Sequence, residues 1–484
     1  MAEDRDAEHA GQSTVARLRR LKESRPGFQA TENSFFHGTT QNVEAQPAVS
    51  GQLSGGLRPL LIMRFFEVVW LHFFGWLFLH MLVPGTGGGL RAATILVVCT
   101  ALPALLGLAL AANSADRIGR NKLLVRCKSL DGMVMIVAVT IFVRAGLAAR
   151  TDTLAVVITA LALGSVYAVS RTTRIAIIPD LVDENRVVAA NHQLLMVMMA
   201  GTTAGFALTN FVYSIWFGQL QRLLAFDGRI ASTIAVAPVL LAAALISSRN
   251  IGRVQPVFSK AAVGGRLGKR LVEACRLITT DAGLLRATWG MAALGGFASM
   301  FAAHQLSGST FILAWLGLVV VITDGTILLA AAALGVCVGP LFGGLLSAGR
   351  NSAPHVAPTV LLCACIYTLL RDDTLNYLLS SSIGFWALCV LMFLYGAGAA
   401  MYYLPLEAER QLRVPAELRS SAIAIGNAIT ATAVLLGWGF YFLLRDVVGL
   451  SSTWLAVVVL LSAGLLQVPV IGLENSPGRR HTSR

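Results

Sequence analysis

Ala112-Asn113-Ser114-Ala115-Asp116-Arg117-Ile118-Gly119-Arg120-Asn121-Lys122 is a compact charged turn between two long apolar runs, 93–113 and 126–148, and its setting decides the fold. An apolar run of about 20 residues has the length of a helix that crosses the hydrocarbon core of a bilayer. Inside lipid the backbone must satisfy its own hydrogen bonds, so such a run is a helix. The turn therefore joins two spanning helices on one face of a membrane. Gly119 suits the positive φ that a tight turn demands, while Arg117, Arg120 and Lys122 make the turn basic.

Outward from this turn the same alternation runs from Pro59 to Leu473. Spans are expected at 59–83, 93–113, 126–148, 153–173, 193–216, 230–248, 288–318, 325–347, 356–372, 380–404, 420–443 and 452–473, about twelve in all. The seventh is interrupted by His304-Gln305-Leu306-Ser307-Gly308-Ser309, which reads as a kink or as a helix followed by a re-entrant stretch. The composition agrees with this class. Of 484 residues, 56% are hydrophobic and only 13% charged, and the mean hydropathy is +0.70. A soluble chain of that length needs far more charge on its surface.

The net charge of +13 is concentrated at Arg17–Lys22, Arg117–Lys128, Arg171–Arg186, Arg249–Arg276, Arg410–Arg419 and Arg479–Arg484. These clusters fall at alternate ends of the apolar runs, the positive-inside pattern, which places both termini in the cytosol of a cell (inner, cytoplasmic) membrane protein. It argues against a nucleic-acid partner, which would need an exposed basic face on a soluble domain. The polar first 55 residues read as a disordered cytosolic arm and not as a cleavable signal peptide. The cysteines, Cys99, Cys127, Cys275, Cys337, Cys363, Cys365 and Cys389, mostly sit in apolar runs without paired spacing, so they are expected to fill the core.

The longest internal polar segment, 247–280, divides the spans six and six. The expected organisation is an arm (1–55), a six-helix bundle (56–248), a cytosolic linker (249–283), a second six-helix bundle (284–474) and a cytosolic tail (475–484). Within the linker, Leu267, Leu271, Ala274 and Ile278 share one helical face opposite Arg266, Lys269, Arg270, Glu273 and Arg276. That pattern predicts an interfacial helix on the anionic leaflet. The halves also look duplicated. Aligning Asp116 with Ala348 gives a spacing of 348 − 116 = 232, and aligning Asn191 with Asn427 gives 427 − 191 = 236.

The turn 112–122 resembles the loop signature G-x-x-x-D-R-x-G-R-[RK] of the major facilitator superfamily, with Ala112 in place of the first glycine and Asn121 before Lys122. The resemblance implies two pseudo-symmetric six-helix bundles. It also implies a conformational switch in which Asp116, Arg117, Gly119 and Arg120 meet a helix of the other half. The physical basis would be the Asp116 carboxylate lying against a positive helix N-terminus. A longer stretch, Arg174-Ile175-Ala176-Ile177-Ile178-Pro179-Asp180-Leu181-Val182 through Ala189-Ala190-Asn191, is similar to one found in the lysophospholipid-transporter and related exporter branch. Its counterpart is Pro405-Leu406, Val414-Pro415-Ala416-Glu417-Leu418-Arg419 and Asn427, with Ser420-Ser421 where Gly-Arg is usual. Arg174 and Arg419 enter the switch through this resemblance. Where that branch carries Asp-Asn in the first span, this sequence has Leu71-His72.

Ionisable residues inside spans are the default functional candidates. Glu67 lies three residues after Arg64, which offers either an i,i+3 ion pair or a coupling site. Asp131 opens the third span and is expected to partner the basic cluster Arg117/Arg120/Lys122. His72 and His304 are spaced by 304 − 72 = 232, which suggests a pseudo-symmetric pair for an anionic headgroup or a proton. The alternative for each is a bond to a nearby helix carbonyl. Gln305 joins them as a polar neighbour. Gly201, Gly205, Gly335, Gly339, Gly343 and Gly344 read as small faces for helix packing.

The absence of a G-x-x-x-x-G-K-[ST] loop, of H-E-x-x-H and of G-x-S-x-G argues against an ATP-driven pump or an intramembrane enzyme. No cofactor is expected. What the resemblance implies is an alternating-access secondary transporter, working as a monomer among membrane lipids. Its substrate would be a lysophospholipid or other amphipathic lipid, with a proton or sodium ion as candidate coupling ion. The alternatives are an exporter of a small organic molecule or drug, and a non-transporting receptor or scaffold.

Overall fold

The computed structural model describes residues 57–86, 89–107, 119–148, 153–211, 228–252, 267–307, 330–339, 382–450, 454 and 458. All belong to one compact unit, Gln52–Pro340 with Ala357–Arg484. The described residues are helical throughout, with short turns. In chain order the helices are α1 (Leu57–Thr86), α2 (Gly89–Leu106), α3 (Arg120–Ala148), α4 (Thr153–Leu181), α5 (Val187–Phe211), α6 (Gly228–Gly252), α7 (Leu267–Thr280), α8 (Ala282–Ser307), α9 (Ala330–Gly339), α10 (Ser382–Arg413) and α11 (Arg419–Phe442). A π turn, Leu443–Val447, continues α11. The first eight expected spans, the tenth and the eleventh each hold one of these helices. The ninth lies outside the described residues, and of the twelfth only Trp454 and Val458 are described, both helical.

Three of these segments are long and apolar enough to cross a membrane: Thr153–Leu181, Ile383–Arg413 and Arg419–Val447. Large apolar side chains on their outer faces, among them Leu154, Ile158, Trp386, Val390 and Leu436, are exposed, as a lipid-facing surface requires. Hydroxyls within the spans fold back on their own helix: Thr159 donates to the Ala155 carbonyl, Thr172 to Ala168 and Thr173 to Val169.

Glycine contacts set the helix register and repeat between the halves. A Cβ on Gly164 of α4 would overlap the Cys99 carbonyl of α2, and one on Gly396 of α10 would overlap the Ala332 carbonyl of α9. The spacings are 396 − 164 = 232 and 332 − 99 = 233, the interval expected from the sequence. Gly205 of α5 lies against His72 of α1, and its counterpart at 205 + 232 = 437 lies against Gly296 and Ser299 of α8.

The fourth span departs from expectation. It was expected to end at 173, but α4 runs on through Arg174 and Pro179 to Leu181. Its last turns are buried among other helices, where paired charges replace the apolar pattern that marks a span in sequence. The linker helix departs as well. The apolar face of α7 packs on protein: Ala274 and Ile278 are buried with Leu284 of α8, Val414, and Ala422 and Ile425 of α11. Only Asp281 separates α7 from α8. Asp281 accepts from the Leu284 amide at 2.9 Å, so the pair folds back at a capped corner and its apolar stripe meets the start of α11.

Candidate functional site

Two polar centres lie toward the end of the bundle that carries the basic turns. The first is inside the first half. Glu67 is ten residues into α1, about 15 Å along it, and is fully buried. Its carboxylate takes Arg64 on its own helix at 2.6 Å, Lys128 of α3 and Arg174 of α4, with the Ser170 hydroxyl at 3.4 Å. Lys128 also pairs with Asp131 at 2.7 Å, and the Arg64 guanidinium lies over the Tyr167 ring, 5.9 Å from its centre. Glu67 is thus the hub that ties α1, α3 and α4 together. The i,i+3 pair with Arg64 expected from sequence is one spoke of it. A buried carboxylate with three cationic partners holds them together, because removing it would strand all three.

Asp131 does not join the basic turn as expected. It pairs with Lys128 one turn away on α3, and Arg120 is engaged elsewhere. The reason is helical geometry: residue 131 lies about three turns inside the span from residue 120. Arg171 and Arg174, counted in sequence with a basic surface cluster, sit inside α4; Arg174 is buried and Arg171 half-buried.

The second centre joins the halves. Asp180, near the end of α4, accepts from Arg120 Nη1 at 2.5 Å and from Arg419 Nη1, at the first residue of α11, at 2.9 Å. Arg120 reaches further across, donating through Nη2 to the Ala416 carbonyl at 2.6 Å and through Nε to the Ser420 hydroxyl at 3.0 Å. Gly119 holds the entry to α3 at φ 85°, as the turn chemistry required. Deeper in, Asn191 of α5 and Gln411 of α10 exchange amide bonds at 2.8 and 3.1 Å. Asn427 of α11 donates to the Thr172 hydroxyl of α4 at 3.1 Å. His192 lies 3.3 Å from the Val336 carbonyl. At the opposite end the halves meet through apolar packing, with Trp438 and Tyr441 of α11 against Trp70 and Phe78 of α1, and a bond from Trp438 Nε1 to Thr94 at 3.1 Å.

α10 carries a further polar cluster. Glu407 and Arg410 pair at 3.3 Å, and Arg410 also donates to the Ile423 carbonyl. Tyr403, one turn earlier, is within electrostatic reach of Glu407, Arg410, Arg171 and Arg174. Among the described residues, Glu407 Oε1 and Asn427 Oδ1 are buried acceptors without a hydrogen-bond partner, so this boundary can still take a donor.

Of the residues expected to form the switch, Arg174 and Arg419 occupy buried ion pairs and Arg120 a half-buried one. Asp116 and Arg117 lie outside the described residues. Asp180 is the carboxylate that meets the start of α11. It stood inside the motif 174–191, but nothing in its spacing distinguished it from Asp116. His72 lies with Nδ1 3.1 Å from the Val68 carbonyl on its own helix. Gly205 of α5 abuts His72 of α1, and Gly437 of α11 abuts Ser299 of α8. The first and eighth helices begin 282 − 57 = 225 residues apart, shorter than the spacing that applies between α4 and α10. The side chains of His304 and Gln305 lie outside what is described. Lys128 stood in the basic cluster 117–128 and Asn191 in the motif 174–191, but their partners Glu67 and Gln411 are remote in sequence, and Glu407 and Gln411 were not singled out.

The sequence matches no known family profile and no curated protein. Solved structures do match. A variant of the E. coli fucose:proton symporter FucP is similar with a TM-score of 0.59 and 12% identity, over 87% of this chain and 98% of that one. A bacterial homologue of the iron transporter ferroportin in an outward-facing state gives 0.60 and 13%, over 87% and 99%. The proton:xylose symporter XylE of the major facilitator superfamily, bound to 6-bromo-6-deoxy-D-glucose, gives 0.58 and 13%, over 86% and 96%. The chain has the major facilitator fold. In that fold the two centres take on a definite arrangement: the Glu67 hub is internal to one half, and the Asp180 bridge spans the boundary between the halves at the basic end.

Proposed function

We propose that this protein is a secondary transporter that works by alternating access, with about twelve spanning helices in two related bundles of six. The observation that supports it is the bridge Arg120–Asp180–Arg419, a buried ion network that exists only while the two halves touch at the basic end. A gate of this kind holds one face closed and must break for the other state to form. The Glu67 hub keeps the first half rigid, so that the halves move as bodies. The basic end is the cytosolic one by the positive-inside pattern, and both termini lie on that side of the cell membrane. Asp116 and Arg117 remain candidates for the same gate by the resemblance of 112–122 to the superfamily's loop signature.

The substrate is an amphipathic lipid by the resemblance of 174–191 to the lysophospholipid branch. The alternative is a small solute, favoured by similarity to carriers named for fucose, xylose and iron. A proton or sodium ion is the candidate coupling ion, and the working unit is a monomer. His72, His304 and Gln305 remain candidates for substrate contact from the first and seventh spans, with Glu67 as a positioning residue.

The test is a reversible lock. Thr172→Cys and Asn427→Cys, in a Cys275→Ser background, place two thiols where a 3.1 Å hydrogen bond now joins the halves. Oxidation should stop solute or lysolipid exchange in proteoliposomes, and reduction should restore it. Exchange that continues with the cross-link complete would refute alternating access, and a receptor or scaffold would show no exchange in either state.

A further inference from the structure

We propose that the substrate carries a negatively charged group, a phosphate or a carboxylate, and that Arg171 is the cation on which it docks. This rests on the carrier reading above. At the level of the Glu67 hub, four cations (Arg64, Lys128, Arg171 and Arg174) face two carboxylates, Glu67 and Asp131. Three of the four are fully committed: Arg64, Lys128 and Arg174 all hold Glu67, and Lys128 holds Asp131 as well. Arg410 of α10 is shared between Glu407 and a carbonyl. Arg171 forms no ion pair or hydrogen bond among the described residues.

Its position fits the role. Arg171 is ten residues from the end of α4, about 15 Å along the helix from its basic end and level with the Glu67 hub. It is half-buried, so it is withdrawn from bulk water without being sealed. The neighbouring Thr172 contacts Asn427 of the second half, and Tyr403 of α10 feels the charge of Arg171, so this stretch of α4 faces the boundary that opens and closes. A surplus cation at that depth is costly and is relieved by a counter-charge. The planar guanidinium matches the oxygens of carboxylate and phosphate in a two-pronged bond. The Tyr403 hydroxyl can add a donor from the opposite half, so that a bound anion draws the halves together.

Thermal unfolding of the full-length protein in detergent, combined with counterflow in proteoliposomes, tests this. The probes form matched pairs: lysophosphatidylglycerol against monoacylglycerol, and inorganic phosphate or succinate against xylose. At least one anionic probe should stabilise the protein where its neutral counterpart does not. Arg171→Gln should weaken that effect about tenfold or more in probe concentration, Arg171→Lys should recover only part of it because it keeps the charge and loses the two-pronged geometry, and Lys269→Gln, on the exposed face of α7, should leave it unchanged. Stabilisation by the lysolipid alone identifies a lipid headgroup as the source, and stabilisation by phosphate or succinate a soluble anion. The proposal is overturned if no anionic probe exceeds its neutral partner, or if Arg171→Gln binds as the wild type does. Should Arg171→Gln fail to fold, the wild-type probe pairs and Arg171→Lys decide. Counterflow of a neutral probe sinks the anion site and leaves the carrier standing. Arg171-dependent binding without counterflow of any probe does the reverse.

Discussion

Replacing Asp180 by asparagine is the most informative single perturbation. The carboxylate is the one anion in the bridge, with its side chain 7% exposed and those of Arg120 and Arg419 at 13% and 8%. Asparagine keeps the size and one acceptor oxygen but removes the charge, leaving two guanidinium groups facing each other in poorly solvated surroundings. Breaking a buried pair by removing one partner costs about 3–5 kcal/mol. Arg120 retains its bonds to Ala416 and Ser420, so the lower end of that range, about 3 kcal/mol, is the appropriate value. That penalty falls only on the state in which the halves touch at this end, since in the other state both arginines reach water. It should therefore shift the balance between the two states on the order of a hundredfold. The assay is alkylation of Ser421→Cys, a fully buried position on the first turn of α11, by an impermeant maleimide added to the basic side, in a Cys275→Ser background. If the wild type exposes this end about 1% of the time, the variant would expose it about half the time, and labelling would accelerate at least about tenfold. Acceleration below about twofold would refute the gate, because a bridge that does not hold the closed state cannot be one.

Further outcomes follow from other contacts. Glu67→Gln should destabilise the purified protein by about 3–5 kcal/mol in thermal or denaturant unfolding, since three cations would keep only Asp131 between them; a loss under about 1 kcal/mol would show that the hub carries little. Gly396→Val should cost at least about 1–3 kcal/mol by forcing α10 away from the Ala332 carbonyl. Gly75→Ala, with nothing within 4 Å of the added Cβ, should change stability by no more than about 0.5 kcal/mol. Gly119→Ala meets open space but inherits φ 85°, so a cost of about 1 kcal/mol in the same measurement is expected from backbone strain alone. Ile278→Lys should detach α7 from the second half, seen as faster proteolysis within 253–281.

Class and outline were legible in local sequence. Apolar runs of spanning length, basic turns at alternate ends and the Gly119 turn are local properties, and local properties survive without knowledge of partners. The interval of 232 between Asp116 and Ala348 was legible in the same way, and it equals the interval between Gly164 and Gly396, two glycines that each abut a carbonyl of a neighbouring helix. Tertiary structure alone decided the chemistry. Arg174 could be a loop cation or a buried ligand of Glu67, and the 107 residues between them say nothing about which. Asp131 and Asp180 were both carboxylates near basic turns, but only the packing of α4 against α11 made one a bridge and left the other a partner of Lys128. Hydrophobicity acts residue by residue along the chain, whereas a buried charge is set by whatever the fold brings within about 4 Å of it.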